Sequence, residues 1–320
     1  MTSPAEYLVR LDRRDTRTDR FFQLVVFGCA VFVLVALLGA ALSMLLGGRE
    51  AFAAFGWKFL WSNVWDPVQK QFGALVPIYG TLVTALLAMV FAVPISFGIA
   101  IFLTEIAPVW LRLPIASAID LLAGIPSIIY GMWGLFIFVP FMGAHIDPWL
   151  NDHLGTLPMI GGLFRGPDVG LGMMTAGVVL AIMVIPFIAA VMREVFSTVP
   201  STLKESAYAL GSTTWEVVWH VVLPYTRSAV TGGIFLGLGR ALGETMAVTF
   251  VLGNTHRLSA SLLEPGNSIA ATIANEFTEA DSSVYLSSLI AIGFLLFVVT
   301  FVVLAVARLM LHRMARLEGN

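Results

Sequence analysis

Hydrophobic positions in this chain fall in long unbroken stretches, not in the alternation of a sheet or the narrow stripe of a surface helix. Residues 21–48, 71–104, 121–146, 169–192 and 282–307 contain no Asp, Glu, Lys or Arg, and the shortest of these runs has 24 residues. A helix needs roughly 20 apolar residues to cross the hydrocarbon core. A sixth stretch, 228–253, is apolar and Gly-rich apart from Arg240 and Glu244. The pattern therefore predicts six transmembrane helices near 21–46, 74–103, 113–142, 172–192, 228–253 and 284–309. The fold class expected is an all-α polytopic membrane protein.

Composition agrees. Of 320 residues, 58% are hydrophobic and 12% charged, against about 25% charged in an ordinary soluble domain; the mean hydropathy is +0.89. A soluble enzyme, a nucleic-acid-binding module and a disordered protein are excluded. A net charge of −2 implies no surface for polyanions. The single cysteine, Cys29, lies in the first run and has no internal disulfide partner. That run is longer than the roughly 7–15 residues of a signal-peptide core, so it is expected to persist as an anchor behind an N-terminal arm, 1–20. Lys and Arg then set the orientation. With the N-terminus cytoplasmic, twelve lie inside, in the arm, at Arg112, between spans four and five, and at the C-terminal end with its tail, 311–320. Five (Arg49, Lys58, Lys70, Arg165, Arg257) lie outside. Both termini are expected in the cytoplasm.

The outside segment 47–73 places Trp57, Trp61 and Trp65 at i, i+4 and i+8. The spacing predicts one aromatic face, either an interfacial anchor in contact with lipid or a docking surface for an outside partner. Few residues offer chemistry. Lys58, Lys70 and Lys204 follow Trp57, Gln69 and Leu203, so no phosphate-cradling Gly-Lys pair exists and any ATP must be hydrolysed by another chain. His145, Asp147, Asp152 and His153 sit in an expected outside loop, HIDPWLNDH, where Pro148 is expected to break helical register, and their spacing matches no metal site. There is no G-x-S-x-G and no H-E-x-x-H, so the chain is not expected to be an enzyme or to bind a cofactor of its own.

The informative cytoplasmic stretch is VPSTLKESAYALGSTTWEVVWHVVLP, 199–224, within the loop 193–227. Pro200 suits a helix's first turn and Gly211 its C-terminal stop. Thr213 and Glu216 have capping-box spacing, and Trp215, Val218, Trp219 and Val222 share one face of a second short helix that Pro224 closes. This stretch resembles the EAA loop of ABC-importer permeases: Glu205-Ser206-Ala207, three residues on Gly211, then Val221-Val222-Leu223-Pro224. The resemblance implies that the hairpin docks into an ATPase subunit; the plainer alternative is a cap on the bundle. GLGRALGETMAVTFVLGN (237–254) and AGIPSIIYGMWGL (123–135) are similar to the C-type permease subunits of the phosphate-specific (Pst) transporters, as is an extra helix ahead of a five-helix core spanning 74–310. That resemblance implies four kinds of neighbour: a second homologous permease, two ATPase subunits carrying ATP and Mg, an extracytoplasmic phosphate-binding protein, and the lipid of a prokaryotic plasma membrane. A permease for sulfate or molybdate, or an ATP-independent channel or scaffold, remains the alternative.

Arg240 and Glu244 are i, i+4 and, on one helix, can pair near mid-bilayer, where each charge costs at least about 2.5 kcal/mol. An Arg fork fits a tetrahedral oxyanion, so both are candidates for the substrate path; a structural ion pair is the competing reading. Asp120, expected near the cytoplasmic end of span three, is a third candidate, facing the path or simply solvated at the interface. Gly124 and Pro126 just beyond it are able to break the helix. The orientation makes a direct prediction: cysteines placed at Thr2 and Asn320 should resist impermeant thiol reagents in intact cells. Labelling of both from outside would refute cytoplasmic termini.

Overall fold

The computed structural model describes the backbone of residues 4–318 and the side chains of residues 18–310; Thr2 and Asn320 lie outside the described residues. Among the described residues, six helices are long and apolar enough to cross a membrane: Thr18–Gly47, Leu75–Ile106, Ser127–His153, Met173–Ser197, Thr214–Leu242 and Ser283–Met310. The all-α expectation holds, and among the described residues β-pairing is limited to one isolated bridge between Asp66 and Gln71.

The second and fourth spans form the centre. Ala85, Ala88, Met89, Ala92 and Ser96 recur at helical spacing along the second span and are buried, with Ala176, Leu180, Val184 and Ile188 of the fourth in the same core. Small side chains allow close backbone approach where hydrophobicity offers no drive between helices in lipid. Ser96 Oγ donates to the Ile185 carbonyl at 3.1 Å, beside Pro186, which interrupts the fourth span's own ladder. The first span is peripheral and its apolar window contains no buried residue. It is attached at one end, where Ser287 Oγ donates to the Gly47 carbonyl (2.8 Å) and accepts from the Ala51 amide (3.1 Å).

Two spans differ from the pattern. The third does not run over 113–142: the chain breaks at Gly124–Pro126, leaving a separate helix Val109–Ala123 and a span that starts at Ser127 and continues to His153. The break prefers Gly and Pro for conformational reasons that hydropathy does not register. Pro148 causes no interruption, because it sits in the first turn of Asp147–His153, where its missing N–H is not needed. The fifth does not run over 228–253. It starts at Thr214, ends at Leu242, and is followed after an unwound Gly243–Thr245 by a short helix, Met246–Val251.

The three tryptophans do not share a face either. Helix Arg49–Phe55 stops at Gly56 (φ 56°) and a turn Lys58–Trp61 follows, so Trp57 and Trp61 remain exposed while Trp65 is buried. Trp65 stacks on His256 (5.2 Å, 9° between planes) and donates its indole N–H to Glu276 Oε2 at 2.6 Å. Tyr285 O–H donates to the same oxygen (2.6 Å), and His256 Nε2 lies 2.7 Å from Oε1. Burial alone raises the Glu276 carboxyl, but hydrogen bonds from His256, Tyr285 and Trp65 outweigh it and hold the group below the ordinary glutamate value. A carboxyl depressed on folding stabilises fully above its ordinary value, 4.5, and that stabilisation fades as pH falls through the lower folded value. Glu276→Gln is therefore expected to cost about 1.5–3 kcal/mol at pH 7, read by thermal unfolding in detergent. The gap from wild type should narrow as the pH is lowered beneath 4.5; identical unfolding at pH 7 would remove the carboxylate from the fold's supports.

Candidate functional site

The 199–224 stretch forms a hairpin at the end of the bundle opposite Glu276. Pro200 stands at the N-cap, one residue ahead of the first turn of helix Ser201–Ala209. The helix ends in a Schellman motif, with the Gly211 amide donating to the Tyr208 carbonyl (2.9 Å) and the Ser212 amide to that of Ala207 (3.1 Å). Gly211 has φ 89°, as its position implied, and a Cβ there would meet nothing within 4 Å. Conformation, not space, asks for glycine. Thr213 and Glu216 close the capping box: the Thr213 amide donates to Glu216 Oε2 (2.7 Å) and the Glu216 amide to Thr213 Oγ1 (3.3 Å).

The second arm does not stop at Pro224. A wide π-type turn, Val218–Val222, carries it into Leu223–Leu242, with Pro224 in the first turn of that segment. The widened turn accommodates a residue with no N–H to contribute. The hairpin's second arm is thus the end of the fifth span itself. The apolar face that the spacing predicted divides: Val218 and Val222 are buried, with Val217, while Trp215 is exposed and Trp219 lies partly against Phe97. Glu205, Ser206, Gly211 and Pro224 are exposed, and Ala207, Val221 and Leu223 half-buried. Together with Leu210 and Trp215 they present an exposed, largely apolar tip.

Motif reading missed one tie of the hairpin. Lys204 Nζ donates to Glu105 Oε1 at 2.6 Å, with side chains only 17% and 5% exposed, joining the first arm to the end of the second span. The charge-free run ending at Thr104 marked where Glu105 begins, but nothing in one dimension paired it with a lysine 99 residues away.

Arg240 and Glu244 do not share a helix. Arg240 is in the last turn before Leu242, whereas Glu244 lies in the unwound segment and its Oε1 accepts from the Ala247 amide at 3.3 Å. Among the described residues no ion pair joins them. The break turns the chain between i and i+4, so the predicted pairing face does not exist. Arg240 is exposed, favourably placed at a helix C-terminus, and its guanidinium stands 5.5 Å from the centre of the Phe187 ring of the fourth span. Tyr130 is within its electrostatic reach.

Tyr130 also repairs the other break, its hydroxyl donating to the Leu122 carbonyl at 3.0 Å. The two broken segments pack together: a Cβ on Gly131 would stand 2.9 Å from the Met246 carbonyl oxygen and 3.1 Å from Ala247 Cα. The two motif stretches, 123–135 and 237–254, therefore lie against each other. Near the breaks stand the Arg240 guanidinium, to which no carboxylate is bonded among the described residues, and the Glu244 carboxylate; the Tyr130 O–H is already given to Leu122, so the guanidinium is the donor left for an oxyanion. Asp120 belongs elsewhere. It pairs with Arg193 of the fourth span (3.3 Å) and lines a different cavity, whose walls include neither Arg240 nor Glu244.

Residues 96–316 match the family described as the binding-protein-dependent transport system inner membrane component. The chain is 66% identical to the phosphate transport system permease protein PstC of Xylella fastidiosa, over 97% of this chain and 95% of that one. It is 58% identical to the PstC protein of Pasteurella multocida, over 95% and 92%. Its fold is similar to that of a chain in the crystal structure of a bacterial alginate ABC transporter in complex with an alginate pentasaccharide-bound periplasmic protein: TM-score 0.61, 17% identity, covering 94% of this chain and 97% of that one.

The Gly211 geometry is testable by amide hydrogen exchange. Gly211→Val places a β-branched residue at positive φ, costing about 1–3 kcal/mol, and should raise exchange across 206–217. Gly211→Asn, which tolerates positive φ better, should raise it less. Equal exchange in both variants and wild type would mean that the φ 89° turn is not required.

Proposed function

The chain belongs to the family of binding-protein-dependent transport system inner membrane components, among the C-type permeases of phosphate transport systems, and from that premise we propose that it is one of two transmembrane subunits of an ATP-driven phosphate importer. The observation that carries the reading is 66% identity to a PstC permease over 97% of this chain, supported by the Arg240 guanidinium, which has no ion-pair partner among the described residues, at a helix break inside an apolar stretch. Broken helices are tolerated in a membrane where they line a cavity.

The hairpin receives motion from a separate ATPase, which binds and hydrolyses ATP with Mg; two such subunits serve this permease and a second, homologous one. An extracytoplasmic phosphate-binding protein delivers the substrate on the opposite side, and both termini are cytoplasmic in a prokaryotic plasma membrane. The hairpin's second arm and the Arg240 helix are one continuous helix. From Leu223 to Leu242 it has 20 residues, about 30 Å at 1.5 Å per residue. Displacing its exposed end moves Arg240 and the break beyond it. The coupling residues are Glu205, Ser206, Ala207, Gly211, Val221, Leu223 and Pro224; Lys204 and Glu105 hold the first arm so that it moves with the second span.

At the break, Arg240 receives the anion and Glu244 accepts a hydrogen bond from protonated phosphate, which fully ionised sulfate has no proton to offer. Without a carboxylate locked onto it, the guanidinium meets the anion with its planar donors free. Arg240→Lys keeps the charge and loses the bidentate geometry. It is expected to insert and assemble normally yet to lower phosphate uptake by about tenfold or more, as losing one or two charge-assisted hydrogen bonds implies. The double change to Leu at 240 and 244 is expected to abolish uptake. Uptake of labelled phosphate and labelled sulfate in vesicles holding the full complex decides: near-normal phosphate uptake by the double variant at equal abundance would move the path elsewhere.

A further inference from the structure

A cavity of 640 Å³ opens at the hairpin end of the bundle, between helix Val109–Ala123, the last turns of the second and fourth spans and the start of helix Ser201–Ala209. Its walls are apolar at Leu103, Val109, Leu113 and Val199, and cationic at Arg112, Arg193 and Lys204. Lys204 is committed to Glu105 at 2.6 Å. Arg193 is not fully committed. Its Nη2 reaches the Asp120 carboxylate only at 3.3 and 3.4 Å, and its Nη1 is buried with no partner among the described residues. A buried guanidinium nitrogen without an acceptor is costly, and the cavity beside it is where an acceptor has room. Arg112 uses Nε on the Ala107 carbonyl (2.8 Å), and among the described residues its two terminal nitrogens have no hydrogen-bond partner. Two carboxylates, Asp120 and Glu194, also line the cavity. Both are exposed, Asp120 by 52%, so water and salt screen them, whereas Arg193 is only 25% exposed and keeps its field.

The depth of the cavity follows from the helix beside it. Val109, Trp110, Leu113 and Leu121 of Val109–Ala123 are all more than 70% exposed, an apolar surface with a tryptophan that suits the headgroup layer. A ligand here meets the partly buried Arg193 and the exposed Arg112 at one end and exposed apolar side chains at the other. We propose that the cavity binds a phosphate group on Arg193 and Arg112, carried by an anionic phospholipid of the adjacent leaflet, whose acyl chains lie along Val109 and Leu113. The site is separate from the Arg240 break and does not depend on which substrate the protein moves.

Native mass spectrometry of the full complex, purified from bilayers of phosphatidylglycerol and phosphatidylcholine, tests it. Wild type is expected to retain phosphatidylglycerol in preference to phosphatidylcholine. Arg193→Gln and Arg112→Gln should each reduce retained phosphatidylglycerol by about tenfold, the effect of about 1.4 kcal/mol in binding. Arg112 is exposed, so its variant decides the matter alone if Arg193→Gln does not fold. A second arm titrates the delipidated complex with labelled inorganic phosphate. Loss in both variants of a binding class present in wild type would assign the phosphate to solution and overturn its lipid source. Unchanged retention of phosphatidylglycerol together with unchanged phosphate binding in Arg112→Gln would overturn the site altogether.

Discussion

Inside a membrane, every backbone amide and carbonyl needs a partner from the protein, because lipid supplies none. This constraint explains why the chain is helical almost throughout, and it gives weight to the places where a helix stops. Gly124–Pro126 and Gly243–Thr245 are two such places, and each is repaired locally: the Tyr130 hydroxyl takes the Leu122 carbonyl, and the Glu244 carboxylate takes the Ala247 amide. The side chains that repair the backbone come from the two segments that flank the breaks, Tyr130 from the third span and Glu244 from the turn after Arg240. Close packing of Gly131 against Met246 and Ala247 then holds the two breaks together.

The same rule shapes the hairpin. A proline within a transmembrane helix normally interrupts the ladder, but here the widened turn at Val218–Val222 absorbs Pro224 and keeps the fifth span continuous from Thr214 to Leu242. A flexible joint at Pro224 would dissipate movement of the exposed tip. A continuous helix delivers it to the break. The Lys204–Glu105 pair gives the first arm its own attachment, and because both groups are largely buried, separating them leaves an uncompensated charge. The two arms are thus attached to different spans, the first to the second span and the second to the fifth.

The additional N-terminal elements obey a different logic. The first span has almost no core of its own and is held through Ser287 at one end, while the segment after it is clasped by the Trp65, His256, Glu276 and Tyr285 network. Hydrogen bonding secures what apolar packing does not. The long lipid-facing surface of the first span is left free of the central pair formed by the second and fourth.

The number and composition of the spans were legible in one dimension, because the hydrocarbon core imposes a length and an apolar content that a run of residues either meets or fails. Gly211 at positive φ and the Thr213–Glu216 box were legible for a similar reason: each is a local backbone requirement met within a few residues. The limits of the third and fifth spans were not, since apolar residues continue straight through both breaks. Nor was the separation of Arg240 from Glu244, which periodicity places on one face only if the helix persists. Trp65 was assigned to a surface by its spacing and is buried by His256 and Glu276, about 190 and 211 residues further on. Glu105 met Lys204, and Asp120 met Arg193, only when the second, third and fourth spans came together. Sequence alone thus determined what local backbone geometry and solvent demand. Which charges find partners was decided by tertiary packing, because Coulombic and hydrogen-bond partners depend on distance in space and not along the chain.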